Sequence, residues 1–169
     1  RLLSGPARIA ALFRERRDRA LLENPLLDFD RLLVVERRRG DPALPANYHG
    51  NSDLPQAGHD CRIAALSPVG PGGSLSTVFR PEGGRFVGDV DLRFDAEGIL
   101  FSMPGSNGRW QVHELLLEGV RPAEGPPHAA GKGPRELPLI LEPDVDNSDA
   151  CYLPDGRIVF CSTAGFAGV

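Results

Sequence analysis

The sequence is poor in several residue types and contains no long apolar run. No stretch approaches the roughly 18 uninterrupted apolar residues that cross a bilayer, so the sequence predicts no membrane span. Of the 19 basic residues only Lys132 is a lysine, and the three cysteines are an odd number. The cysteines show no CxxC motif, no CxxCH motif for haem attachment and no spacing suited to zinc.

Cys61, Cys151 and Cys161 are therefore predicted to be buried free thiols, the common state of an unpaired cysteine in a protein core. Cys151 and Cys161 lie ten residues apart on either side of a predicted hairpin. A disulfide between these two is the alternative, provided that the strand register brings them together.

The distribution of charge argues against a nucleic-acid partner. Acidic residues number 23 against 19 basic ones, which leaves a net charge of −4. Residues 1–39 hold ten arginines against six acidic residues, whereas the remainder holds nine basic against seventeen acidic residues. A body of that sign repels phosphate backbones, so we expect no binding of nucleic acid.

Composition favours a globular chain of short strands and many turns. Hydrophobic residues make up 41% and charged residues 25%, as in ordinary globular domains. The 20 glycines and 16 prolines interrupt the chain too often for a helical bundle. No Ser–His–Asp order, phosphate-binding loop or dinucleotide-binding glycine pattern is present, so no catalytic constellation is predicted. The start at Arg1 and the strand-like end indicate an excerpt of a longer protein.

Residues 6–23 predict an amphipathic helix. Apolar residues recur at intervals of three and four from Ile9 to Ala20, with Ser4 as a possible N-cap and Pro25 beyond the end. We expect this stripe to pack against the helix's own domain while the arginines remain solvated. A membrane-surface or partner-binding helix is the alternative.

Strands and loops alternate in the segment that follows. Residues 32–35 predict a first strand, and residues 63–69 and 75–79 predict two more on either side of a Gly-Pro-Gly-Gly turn. Two segments rich in Pro and Gly, residues 40–60 and 121–138, predict loops.

An internal repeat decides the predicted fold. Asp91–Gly98 aligns with Asp149–Gly156 at an offset of 58, and Ile99–Ser102 aligns with Ile158–Cys161 after one inserted residue. Each copy has an acidic residue, an aromatic residue, an acid–Gly turn and an apolar strand. Asp155-Gly156 suits a type I′ turn, in which both central residues have positive φ. The apolar strand is predicted to be buried on both faces between stacked sheets.

Several strands per repeat are typical of a β-propeller blade. The chain continues through a predicted turn at residues 105–108 to a strand over residues 110–117, which completes a small antiparallel sheet. We predict an all-β fold, a partial β-propeller with an incomplete ring and an N-terminal amphipathic helix. Residues 1–24 form the helix, and residues 25–169 form about two to three blades, truncated at the C-terminus.

Three segments of the chain resemble the hydrazine synthase alpha-subunit-like proteins of planctomycetes and related environmental bacteria. They are residues 24–38, residues 66–115 and residues 144–169. Within the second, the run GGRFVGDVDLRFDAEGILFSMPGSNGRWQV carries the resemblance to this narrower family. Within the third, YLPDGRIVFCST resembles the repeat of TolB-type six-bladed propellers. The resemblance covers residues 18–169 and implies TolB-like blades.

The resemblance implies an exported or periplasmic protein in which this segment is a non-catalytic scaffold. Its partners would be neighbouring blades or haem domains of the same chain, or another protein. The alternative is a multihaem redox subunit acting on nitrogen compounds, with haem c bound mostly outside this segment. In hydrazine synthase the alpha subunit joins a propeller-type domain to c-type haem regions. Carbohydrate or peptide binding at the propeller mouth is a third possibility.

An acidic segment before the second copy of the repeat is the candidate metal site. Counting from Asp144, positions 1, 3 and 12 of a calcium-type loop are Asp144, Asp146 and Asp155, although position 6 is Asp149 instead of Gly. The alternative is that these carboxylates bind backbone amides at turns. The same two possibilities apply to the first copy, at Asp89, Asp91 and Asp95.

Two histidines in the first long loop are candidate haem or metal ligands. His49 and His59 are ten residues apart, and neutral imidazole is a common ligand. A solvated or turn-bonding role is the alternative for each. His113 alternates with strand residues and is expected to pack or to face solvent, and His128 carries no prediction.

Overall fold

A computed structural model describes residues 5–40, 55–117 and 133–166 of the chain. Within these residues no helix is long and apolar enough to cross a membrane. The predicted helix and strands are present, and a short strand not predicted from the sequence, β7, adds to them. The elements are α1 (Gly5–Leu22), β1 (Leu32–Arg37), β2 (Cys61–Ser67), β3 (Ser74–Phe79), β4 (Gly88–Leu92), β5 (Gly98–Pro104), β6 (Trp110–Leu116), β7 (Arg135–Glu136), β8 (Asn147–Tyr152) and β9 (Ile158–Ser162).

The strands form three sheets, and in each sheet the strands follow chain order. The orders are β1-β2-β3, β4-β5-β6-β7 and β8-β9. The prediction of a β-rich fold with one N-terminal helix is confirmed, whereas the predicted propeller arrangement of the sheets is not shown. Contacts divide the chain into two compact units, residues 1–33 with 65–76 and residues 34–64 with 77–169.

Helix α1 carries its apolar stripe without burying it. No residue of α1 is buried, and Ile9 and Phe13 are each 69% exposed. The expected packing of this stripe is therefore not observed in the described residues. Near the end of the helix, the carbons of Leu22 approach Gly70 in the turn between β2 and β3.

The β5–β6 hairpin has the register that its turn predicts. Gly98 pairs with Leu116 and Pro104 with Trp110, without interruption between them. The turn places Gly108 at φ 73°, and the N–H of Gly105 donates to the carbonyl of Arg109. Glycine enters that left-handed conformation without a steric penalty, so the sequence Gly-Ser-Asn-Gly stabilises this hairpin.

The four-stranded sheet packs face to face on the β8–β9 hairpin, and this interface holds the larger core. Every residue of β5 is buried. Alternate residues of β5 face opposite sides of the sheet, so Leu100 faces β8–β9 while Phe101 packs on Phe79 at 5.2 Å between ring centroids. The core between the two sheets consists of Leu100, Val112, Leu137, Ala150 and Tyr152, with Leu139, Ile158 and Phe160 packed against it.

The internal repeat is structural, but its register differs from the predicted one. We call β4–β5 hairpin 1 and β8–β9 hairpin 2. Each hairpin has a bulge in its first strand, and the bulge residues Asp89 and Asp149 have φ of 50° and 51°. The first strands are therefore related by an offset of 60, not 58. The second strands keep the predicted offset of 59, because the pair of Leu92 and Ile99 in hairpin 1 corresponds to the pair of Tyr152 and Ile158 in hairpin 2.

The turn of hairpin 2 is not the predicted type I′ turn. Gly156 has φ 84°, but Asp155 does not have positive φ. The N–H of Gly156 donates to the carbonyl of Leu153, and the N–H of Leu153 donates to the carbonyl of Arg157. This is a type I turn followed by a left-handed residue. Pro154 explains the difference, because its fixed φ suits the second position of a type I turn.

Ala96 occupies in hairpin 1 the left-handed position that Gly156 occupies in hairpin 2. Ala96 has φ 60°, and no atom lies within 4 Å of a Cβ placed on Gly156. Because a left-handed conformation costs an L-residue about 1–2 kcal/mol, we expect Gly156→Ala to lower the free energy of unfolding by about 1 kcal/mol. Ala96→Gly should raise it by about 0.5 kcal/mol, because relief of the left-handed strain outweighs the larger backbone entropy that glycine loses on folding. Urea denaturation measures both, and a loss of stability in Ala96→Gly would contradict this assignment.

Candidate functional site

Hairpin 2 has one covered face and one exposed face. Ala150 and Tyr152 of β8 are buried against the four-stranded sheet. The alternate residues point away from that sheet, so Cys151 and Cys161 are exposed and Val159 is 52% exposed. We call the surface formed by Cys151, Val159 and Cys161 the outer face. It is an apolar sheet surface that the described residues leave uncovered.

Two hydrogen bonds from hairpin 1 fix the backbone of β8 at the covered interface. The Ser102 hydroxyl oxygen accepts the N–H of the bulge residue Asp149 at 3.0 Å. The Asp91 carboxylate accepts the N–H of Tyr152 at 2.9 Å. Because a bulge leaves backbone N–H groups outside the strand ladder, these side chains satisfy donors that the β8–β9 pairing does not use.

The outer face presents the structural counterparts of the residues that form this interface. In hairpin 1 Asp91 pairs with Leu100, and in hairpin 2 Cys151 pairs with Val159. In the same way Cys161, opposite Ser148, corresponds to Ser102, opposite Gly88. The three positions through which hairpin 1 holds hairpin 2 are therefore present on hairpin 2 and uncovered.

The predicted burial of the cysteines is wrong for two of the three. No disulfide joins the three cysteines, and only Cys61 is buried. The predicted alternative, a bridge between Cys151 and Cys161, does not fit the register, because Cys151 lies opposite Val159. The two cysteines are diagonal neighbours, and such positions have Cα atoms roughly 7–8 Å apart, beyond ordinary disulfide geometry. The second apolar strand is therefore covered on one face, not on both.

The acidic candidates for a metal site do not come together. Asp146 is buried and its carboxylate accepts the N–H of Trp110 at 2.8 Å. Asp144 is exposed and pairs with Arg109 at 2.8 Å, while Asp149 forms the β8 bulge. In residues 5–40, 55–117 and 133–166 there is no cluster of three or more His, Cys, Asp or Glu side chains suited to a metal.

The other repeat aspartates serve turns and the sheet interface, as the alternative interpretation predicted. The Asp155 carboxylate accepts the N–H of Arg157, and Asp95 accepts the N–H of Glu97. Hydrogen bonds from Arg157 and Arg93 hold the pKa of Asp155 and Asp95, respectively, below the ordinary range. In the first copy of the repeat, Asp89 forms the bulge, Asp91 accepts a backbone N–H and Asp95 caps a turn.

Of the two histidine candidates, only His59 lies in the described residues. The Nε2–H of His59 donates to the Pro55 carbonyl, and the edge of its ring meets Phe86 at 5.2 Å between centroids. His59 thus makes the turn-bonding contact that was the alternative prediction. His49 and His128 lie outside the described residues, so the expected convergence of His49 with His59 is untested.

A buried amide pair joins the segment before β8 to the four-stranded sheet. The side-chain N–H of Asn147 donates to Oε1 of Gln111 at 2.8 Å and to the carbonyl of Ile140 at 3.0 Å. Gln111 in turn donates to the carbonyl of Val145 at 3.0 Å. Asn147 and Gln111 are both buried. These bonds fix the segment that leads into hairpin 2.

His113 packs in the core beside a carboxylate. Its ring stacks on Phe101 with centroids 5.7 Å apart, and Nδ1 contacts the carbonyl of Gln111. Nε2 lies 3.9 Å from the Glu136 carboxylate. Burial lowers the pKa of His113, and the Gln111 carbonyl and Glu136 only partly oppose this. The residue is therefore neutral at pH 7.

The lowered pKa of His113 predicts a loss of stability in mild acid. Below the unfolded pKa of 6.5 the unfolded chain binds a proton that the folded chain does not, so the free energy of unfolding falls as pH falls. We expect His113→Phe, which keeps the ring stack, to flatten the profile between pH 7 and pH 5. Urea denaturation across this range measures the effect. Parallel profiles for the two proteins would contradict the assignment of this pH dependence to His113.

Comparison with known proteins adds no relative: no family model, curated protein or solved structure matches the chain. The site must therefore be judged from its geometry. The outer face was not predicted as a site, although its pattern was visible. The apolar run of residues 158–161 predicted coverage on both faces, and the described residues cover only one of them.

Proposed function

We propose that the chain is a segment of a β-propeller-type repeat protein and works as a non-catalytic scaffold whose outer face holds a further β-sheet. The observation that carries this proposal is that the two hairpins stack head to tail, through different faces of the same structural unit. Hairpin 1 contributes Asp91, Leu100 and Ser102 to the interface. Hairpin 2 has the same structure but contributes its other face, the one opposite to the positions equivalent to these three residues. Such head-to-tail contacts always leave one equivalent surface available, and they close into rings or continue as stacks.

The chemistry of the outer face supports a binding role. Val159 and two thiols form an apolar surface on a two-stranded sheet, and contiguous exposed apolar surfaces mark sites of interaction with other protein surfaces. The described residues contain no cluster of three or more His, Cys, Asp or Glu side chains suited to a metal. Following the family resemblance, we propose an exported protein in which the further sheet belongs to the same chain or to a partner.

A haem-bearing redox subunit is the alternative that the resemblance implies. His59 bonds to backbone, and Asp91, Asp95, Asp144, Asp146 and Asp155 bind amides or arginines, so none of these contacts favours this alternative over the scaffold. CxxCH motifs in the full-length gene would favour it.

Self-association tests the scaffold proposal. We expect the chain to associate at high concentration through its uncovered sheet surface, and Val159→Lys should shift sedimentation velocity profiles toward monomer. Leu141→Lys is the matched control, because Leu141 is 72% exposed but lies outside hairpin 2. A chain that remains monomeric with a sharp, cooperative unfolding transition would contradict the proposal, as would equal effects of the two substitutions.

A further inference from the structure

We propose that the thiols of Cys151 and Cys161 are the polar contacts through which the outer face binds a bulged β-strand with the geometry of β8. This inference rests on the proposed scaffold function and names the partner of its outer face. The occupant is a hairpin whose bulged first strand offers two free N–H groups, one at the bulge residue and one three residues later. Its small and aromatic side chains face Val159, as Ala150 and Tyr152 face Leu100.

The argument follows from the interface that the chain already contains. Asp149 donates its N–H to Ser102, and Tyr152, three residues later, donates to Asp91. The counterparts of the two acceptors are Cys161 and Cys151. Both acceptor positions thus carry sulfur in the second copy, and both side chains are exposed.

Sulfur changes the strength and the sensitivity of the contact. A thiol sulfur accepts hydrogen bonds more weakly than a hydroxyl or a carboxylate. The interface between the outer face and its bulged strand should therefore be weaker than the interface between hairpin 1 and hairpin 2. It should also respond to alkylation or oxidation of either thiol, because a modified sulfur is larger and no longer fits beneath the docked backbone.

The test uses an extended chain in which residues 103–166 are repeated directly after Cys161. Met103 then follows Cys161 as it follows Ser102 in the natural order, so the added residues supply a second bulged hairpin. The cysteines of the added copy are replaced by serine, which leaves Cys151 and Cys161 as the only exposed thiols. Their rates of reaction with Ellman's reagent are compared with those of the natural chain.

We expect both thiols to react rapidly in the natural chain and about 100-fold more slowly in the extended chain, as a docked surface opens only transiently. Val159→Lys in the extended chain should restore rapid reaction. Rapid reaction in the extended chain without that substitution would overturn the thiol assignment. If the added tryptophan is nonetheless buried and unfolding is cooperative, the scaffold proposal stands alone. If it is exposed, both proposals fail.

A second comparison separates a polar contact from burial alone. In the extended chain Cys161→Ser keeps an acceptor, as in Ser102, whereas Cys161→Val does not. The reaction rate of Cys151 reports the result. We expect Cys161→Ser to leave Cys151 protected and Cys161→Val to raise the reaction rate of Cys151 about tenfold, which is the effect of losing one hydrogen bond. Equal protection in both variants would show that Cys161 contributes only its volume, and the proposal would be wrong.

Discussion

Leu100→Ala is expected to lower the free energy of unfolding by about 3 kcal/mol, whereas Val159→Ala should lower it by less than about 1 kcal/mol. Leu100 and Val159 occupy equivalent positions in the two hairpins. Leu100 is fully buried in the core between the sheets, and Val159 is half exposed. Truncation to alanine therefore leaves a cavity at Leu100 and removes two partly solvated methyl groups at Val159.

Urea denaturation measures this difference, and Trp110 provides the signal. It is the single tryptophan of the chain and is buried. In the extended chain the Val159→Ala loss should grow toward that of Leu100→Ala, because the further hairpin then covers it. Equal losses in the natural chain would contradict the assignment of Val159 to an uncovered face.

Asn147→Ala should also be severely destabilising, by about 3 kcal/mol. The substitution removes the donors to Gln111 and to the Ile140 carbonyl, and it leaves the buried Oε1 of Gln111 without that bond. Ser148→Ala, one residue further along β8, is the control and should cost less than about 1 kcal/mol.

A double-mutant cycle isolates the amide pair. Because Asn147 and Gln111 share one hydrogen bond, the loss in Asn147→Ala with Gln111→Ala should be smaller than the sum of the single losses by about 1 kcal/mol. Additive losses, or a small effect of Asn147→Ala alone, would show that the pair does not hold the entry to hairpin 2.

The parts of the fold predicted correctly are those that local chemistry controls. The β5–β6 hairpin follows from a Gly-Ser-Asn-Gly turn between two apolar strands, and its register needs no distant contact. The repeat was visible because the second strands are alike, residue by residue. The register of the first strands was misjudged, because matching Asp91 with Asp149 used residue identity. The bulges at Asp89 and Asp149 are features of the backbone, and their positions depend on how the sheets pack.

The outcome for the site shows what a sequence leaves open. Pattern alone predicted that the apolar run at Val159 is covered on both faces, but coverage depends on which surface lies beside it. The aspartates were correctly suspected of binding amides, since turn chemistry is local. That the Asp91 carboxylate caps an N–H of Tyr152, 61 residues away in sequence, depends on the stacking of two hairpins. The spacing of residues in the sequence therefore does not predict the contact between Asp91 and Tyr152.

Residue-resolved hydrogen exchange of the Asp149 and Tyr152 amides tests the central claim most directly, namely that two equivalent hairpins stack with the first holding the backbone of the second. We predict that both amides exchange at least about 100-fold more slowly than in an unstructured peptide. Ser102→Ala should release the Asp149 amide, and Asp91→Ala should release that of Tyr152. Exchange of both amides at unstructured rates, while the amides of β5 and β6 stay protected, would contradict the account.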